Sequence, residues 1–211
     1  MKKSEFFNTL EYQLRKHLEP KLTDRSIQIH KDLGFQARDY LNNILKEELV
    51  VTFEKEVFDR YGRALVYLSA KDCNTYNYRL VEAGYAVPYV VYPNAVSPTE
   101  DGEWNYGTIE KMSEVTLQAV EKKKRFWKYA DDILLPMELR FLTRRELPLK
   151  YCADLENHLS YSPQYYFKVY IEDRLFFYPK DVLAAILKEF KPTSDCEEWL
   201  HKAWRILQGK G

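Results

Sequence analysis

At 211 residues, with 45% hydrophobic and 30% charged content, the chain can bury a core and is too apolar to be disordered. Its 32 basic and 32 acidic side chains cancel, so no whole-molecule field marks a nucleic-acid or membrane binder; any such binding needs a local patch. No apolar run reaches membrane-spanning length, and Cys73, Cys152 and Cys196, without CxxC spacing, argue against a disulfide framework or zinc site.

The N-terminal MKKSEFFNTLEYQ lacks the apolar stretch of a signal peptide, so a reduced, cytoplasmic protein is expected. Residues 4–18 place Phe6, Phe7, Leu10, Leu14 and Leu18 at three- and four-residue spacing behind a Ser4 N-cap, which predicts an amphipathic helix closed by Pro20. Residues 21–33 read as a polar connector. From Gly34, the positions Phe35, Ala37, Leu41, Ile44 and Leu45 form the stripe of a second helix. Leu49, Val51 and Phe53 alternate as a strand, 64–68 gives another, and EKEVFDRYG between them predicts a hairpin. A short helix over 78–83 stops at Gly84, and YAVPYVVYPN follows as an extended segment. VSPTEDGEWNYG is a loop. Residues 108–129 form a long helix whose basic end, KKKR at 122–125, offsets the macrodipole. Beyond about 131, strand-like runs (LRFLTRR, KYCADL, YYFKVYI, RLFFY) precede two helices, DVLAAILKEF and CEEWLHKAWRILQ. The expected organisation is one domain over 1–130 and a small α+β extension over 131–211.

FDRYGRALVYL, residues 58–68, sets Arg60, Tyr61 and Arg63 around Gly62 at the mouth of a strand. Glycine permits a sharp turn, so both guanidinium groups can project from one lip of a sheet. Their planar donor fork matches phosphate and can stabilise charge developing on its oxygens. The competing reading is a surface turn whose arginines pair with Asp59, Glu54 or Glu56.

DRYGR, then NYRLVEAGYAVPYVVYPN, then a lysine-rich helix ending in Trp127, preceded by GFQARDYLNNILKEELVVTFE, resembles the staphylococcal nuclease-like family from about Gly34 to Trp127. The resemblance implies an OB-type β-barrel with helices, within an α+β protein. Arg63 would contact the scissile phosphate of DNA or RNA and assist the leaving group, with Arg60 beside it. Tyr61 would hydrogen-bond a phosphate, and Tyr89 would pack against the nucleoside. It also implies calcium held by aspartates and a glutamate near the attacking water, in a motif of the type RLxGIDxPE. Hard cations require such oxygen ligands. No such motif precedes Gly34. In the nearest segment, QLRKHLEPKLTD at 13–24, Leu18 stands at the aspartate position and Lys21 at that of the glutamate, leaving Glu19 and Asp24 as the nearby carboxylates. No metal ligand is therefore assigned, and the barrel is expected to be incomplete.

A truncated reading frame, a degenerate nuclease capped by the N-terminal helix, or a half-barrel completed by a partner or second copy would each account for this. Open strand edges would favour such pairing. Three functions stay open: a calcium-dependent endonuclease of the thermonuclease type, a non-catalytic nucleic-acid-binding or protein-interaction module of the same fold, and a partner-dependent fragment.

Overall fold

The computed structural model describes residues 5–45, 48–59, 61–71, 74–93, 97–98, 104–105 and 107–209. Ser4, Arg60 and Cys73, and most of the loop over 96–107, lie outside these described residues. In chain order the elements are α1 (Glu5–Asn8), α2 (Tyr12–Leu18), α3 (Asp24–Ile44), β1 (Val50–Phe58), β2 (Ala64–Ser69), α4 (Tyr76–Glu82), β3 (Ser97–Pro98) and β4 (Trp104–Asn105). They continue with α5 (Gly107–Glu121), α6 (Pro136–Arg144), β5 (Tyr151–Asp154), β6 (Leu159–Tyr161), β7 (Arg174–Phe177), α7 (Val182–Leu187), β8 (Lys191–Pro192) and α8 (Glu198–Leu207). The chain is α+β, and it divides into two compact units that are discontinuous in sequence. A hairpin unit comprises Asp24–Pro88 and Pro93–Ile133; a C-terminal unit comprises Met1–Thr23, Tyr89–Tyr92 and Leu134–Gly211.

In the hairpin unit, α3 begins ten residues before the expected Gly34, absorbing most of the supposed connector. The buried stripe explains the difference. It runs through the buried Ser26 and Leu33 and the half-buried Ala37 and Ile44, with His30 against Phe126 and Tyr40 against Tyr85, while Phe35 and Leu45 face solvent. Polar members of a stripe are invisible to a count of apolar spacings. β1 and β2 form the expected antiparallel hairpin, pairing Val50 with Ser69 through Phe53 with Val66, then Phe58 with Ala64 after a register irregularity. Leu49, just before the first strand, and Val51, Phe53 and Val57 on it are all exposed. Thr75 caps α4 by accepting the Tyr78 N–H, and Gly84 ends it at φ +77°. α5 buries Ile109, Val115, Thr116 and Ala119 and stops at Glu121, earlier than expected. There the backbone turns through two left-handed residues, Lys123 and Arg125, into a 3-10 turn over Arg125–Lys128. The sheets of this unit are two-stranded, β1–β2 and β3–β4, so among the described residues no closed barrel forms.

The C-terminal unit carries a four-stranded sheet of order β7-β5-β6-β8, antiparallel except for the β6–β8 pair. The segment 90–92 runs parallel along the edge of β7, with the Phe176 N–H donating to Val90 O and the Tyr92 N–H to Phe176 O. Cys152, Ala153, Leu175, Phe176 and Phe177 on the strands, with Val182, Ala185 and Ile186 of α7 and Leu200 of α8, fill the core. Burial pushes the Cys152 thiol up to about 12 and Cys196 to about 11, so neither is a reactive thiolate near neutrality.

The N-terminal helix is broken. Thr9 Oγ1 donates back to Phe6 O, and the Glu11 N–H leaves the helix to donate to Gln164 Oε1, so α1 and α2 are separate although Phe7, Leu10, Leu14 and Leu18 are all buried as their spacing predicts. Two runs read as strands are helical. LRFLTRR lies in α6, which starts with Pro136 in its first turn and buries Glu138, Phe141 and Leu142 at three- and four-residue spacing. YYFKVYI forms 3-10 turns over Tyr166–Lys168 and Ile171–Asp173, burying Tyr166 and Val169. Glu138 is wholly buried: Oε1 receives the Tyr166 hydroxyl and lies 2.9 Å from His17 Nε2, and Oε2 accepts the Leu135 N–H at 2.7 Å. Burial alone would raise this carboxyl. The His17 hydrogen bond and charge, then Lys21 and the Leu135 N–H, hold it below its ordinary value instead.

Candidate functional site

The sharpest polar geometry in the hairpin unit lies at the turn between β1 and β2. Gly62 sits at φ +75°, a conformation side chains rarely adopt, and its N–H donates to Asp59 O at 3.0 Å. Asp59 organises the rest. Its Oδ1 accepts the backbone N–H groups of Tyr61 (2.8 Å) and Arg63 (2.9 Å), while Arg63 Nε donates to Oδ2 at 2.6 Å and Nη2 lies 2.6 Å from the same oxygen. The Arg63 backbone N–H is the main cause holding the Asp59 carboxyl below its ordinary value; loss of solvation is the next largest effect and opposes it, and the Arg63 side chain and Tyr61 N–H assist the lowering.

Tyr61 and Arg63 are thus brought together. The guanidinium carbon lies 5.3 Å from the centre of the Tyr61 ring, and Tyr61 itself is 64% exposed. Although Arg63 is paired with Asp59, its side chain is 75% exposed, and part of its donor fork remains turned to solvent. An anion could bind that outer edge, or compete with Asp59 for the inner one. The Glu54 and Glu56 side chains lie outside the described ones, as does Arg60.

Tyr89 belongs to the C-terminal unit. Its ring packs on Phe176 at 4.7 Å, and its hydroxyl accepts a hydrogen bond from Lys150 Nζ at 3.0 Å. Lys150 in turn lies 4.6 Å from the Tyr178 ring centre. Burial, then Tyr178, pushes the Tyr89 phenol up to about 12, while burial and Arg140 lower Lys150. Tyr89 therefore stays a neutral hydrogen-bond partner with one face on the sheet.

The segment that aligns with the family's calcium motif does not suit the ion. Leu18 is wholly buried, Glu19 and Lys21 share a 3-10 turn, and Asp24 opens α3. Among the described residues no three His, Cys, Asp or Glu side chains converge as a metal site.

The family model described as staphylococcal nuclease homologue matches residues 16–129. The chain belongs to the staphylococcal nuclease-like family. This nuclease-family chain is also 27% identical over 147 residues to endonuclease YhcR of Bacillus subtilis (strain 168), an alignment covering 68% of the chain and 11% of that relative. It thus spans about a tenth of the length of the curated relative it matches. No helix among the described residues is long and apolar enough to cross a membrane.

Proposed function

We propose that this chain binds phosphodiesters of DNA or RNA at the Asp59–Arg63 turn, with Arg63 engaging the phosphate and Tyr61 supplying a further contact. The observation that carries the reading is the ordering of Arg63: Asp59 fixes both the backbone and the guanidinium, yet the outer donor edge is open. A preordered fork loses little rotamer freedom on meeting an anion. Binding without turnover is the favoured form, because an apolar Leu18 and a basic Lys21 stand where the family's metal-dependent hydrolysis needs carboxylates. Family membership and the endonuclease relative support hydrolysis as the second reading, with the OB-type barrel and calcium as its corollaries.

Incubation of labelled single-stranded DNA and RNA with the chain, in calcium or in EDTA, separates the two. Salt-sensitive binding without cleavage, weakened by Arg63→Ala, supports the binding module. Calcium-dependent cleavage lost in that variant supports the enzyme. Binding that is unchanged in Arg63→Ala removes the turn from either account.

A further inference from the structure

The bend that ends α5 gathers more positive charge than the hairpin turn does. Lys122, Lys123, Lys124, Arg125 and Lys128 line a cleft of about 410 Å³ together with Tyr85, Tyr129, Leu33 and Gln36. Its volume falls within the range of small-ligand pockets, and a duplex would not enter it. An end-of-helix role for these cations would aim them at the last carbonyls of α5. Lys124 instead donates through Nζ to Glu82 O, at the end of α4, and Arg125 Nε donates to the Tyr85 hydroxyl with its guanidinium carbon 5.3 Å from that ring centre. Lys128 lies 5.6 Å from the Tyr129 ring centre. Among the described residues none of the five pairs with a carboxylate, in a chain whose total charge is balanced.

The backbone holds this arrangement at a strained bend. Lys123 (φ 46°) and Arg125 (φ 44°) are both left-handed without being glycine. The Phe126 N–H donates to Gly84 O at 3.0 Å, and a Cβ on Gly84 would meet Lys124 O at 2.6 Å. Like charges crowded without counterions repel, and a bound polyanion relieves that repulsion while releasing its own counterions.

We propose that this cleft is a second phosphate-binding site, which seats one nucleotide unit of a single strand, the phosphates on Lys123, Arg125 and Lys128 and a base against Tyr85 or Tyr129. It rests on the nucleic-acid reading above but not on Arg63. A concave, aromatic-flanked cleft favours a single strand over a flat anionic surface.

Binding of a labelled single-stranded oligonucleotide, measured by anisotropy across a salt series, tests this. Lys123→Glu/Lys128→Glu should weaken binding roughly ten-fold or more at low salt. Lys123→Gln/Lys128→Gln should make the log–log salt slope shallower by about 1.4, the value for two single-strand contacts. The charge-matched control Lys111→Glu/Lys202→Glu should change the affinity less than about two-fold. The cleft is overturned if both cleft variants behave as the control does. Should Arg63→Ala still weaken binding in that case, the hairpin reading survives and only the cleft falls. A wild-type chain that ignores the oligonucleotide overturns both, as does one that binds only phosphatidylserine vesicles.

Discussion

Two carboxylates, Glu138 and Asp59, each collect several donors, but they do so in opposite ways. Glu138 draws on the nearby Leu135 N–H and on His17 and Tyr166 from two distant parts of the chain, and all of its surface is inside the C-terminal unit. Among the described residues Asp59 draws on Tyr61 and Arg63, within four residues of itself, on an exposed hairpin. A buried acceptor is costly to leave unmatched and so ties distant segments to one arrangement. An exposed acceptor with local donors shapes a turn and leaves its guanidinium available to outside partners. The first is a device for stability and the second for presentation.

The contrast can be broken most severely at Glu138. Glu138→Ala strands the Tyr166 hydroxyl and the Leu135 N–H, and a loss of about 3–5 kcal/mol is expected in denaturant unfolding. A loss under about 1 kcal/mol would show that the network is dispensable. Next comes Gly84→Ala, where a left-handed residue would also collide with Lys124 O; a loss of roughly 1–3 kcal/mol is expected from thermal melting. Arg63→Ala should leave unfolding within about 0.5 kcal/mol of wild type while weakening oligonucleotide binding, which separates presentation from stability.

Asp59→Asn sharpens the comparison further. The amide oxygen can keep accepting the Tyr61 and Arg63 backbone N–H groups, but the amide nitrogen no longer holds the guanidinium, so the turn persists while the fork loses its fixed partner, and affinity for oligonucleotide should fall several-fold in a titration at low salt. Acidification gives the smallest effect. Glu138 and Asp59 are both held below their ordinary values of 4.5 and 3.8, so each stabilises the folded chain fully above that value. That contribution is lost as pH falls through the lower folded value. A urea series below about pH 4.5 should show this acid limb, and Glu138→Gln should flatten it.

Local chemistry was readable from the sequence where it stayed local. Alternation in Val51 and Phe53, the glycine at 62 and the acid four residues before Arg63 specify the hairpin and the pairing alternative without reference to the rest of the chain. Apolar spacing does not reveal the first ten residues of α3, where Ser26 and His30 serve the inner face beside Leu33. α6 reads as a strand in LRFLTRR because one member of its buried face, Glu138, is a charged residue just before that run. The basic bend after α5 was the hardest to read. Its lysines suit a helix terminus well, and the carbonyl and phenol that redirect Lys124 and Arg125 lie about forty residues earlier, at Glu82 and Tyr85. A composition window cannot join such positions.

The parallel pairing of Val90–Tyr92 with β7 has a consequence for biosynthesis. A ribosome makes these residues some eighty positions before Phe176, and it makes α2 before almost everything that covers Leu14 and Leu18. The residues of the hairpin unit have all been made by Ile133, whereas the C-terminal unit can close only when its last strands have emerged. During translation α1, α2 and the apolar segment 90–92 must therefore wait, uncovered, until β7, α7 and α8 have been made, and that interval is when the nascent chain is most open to chaperones and to aggregation.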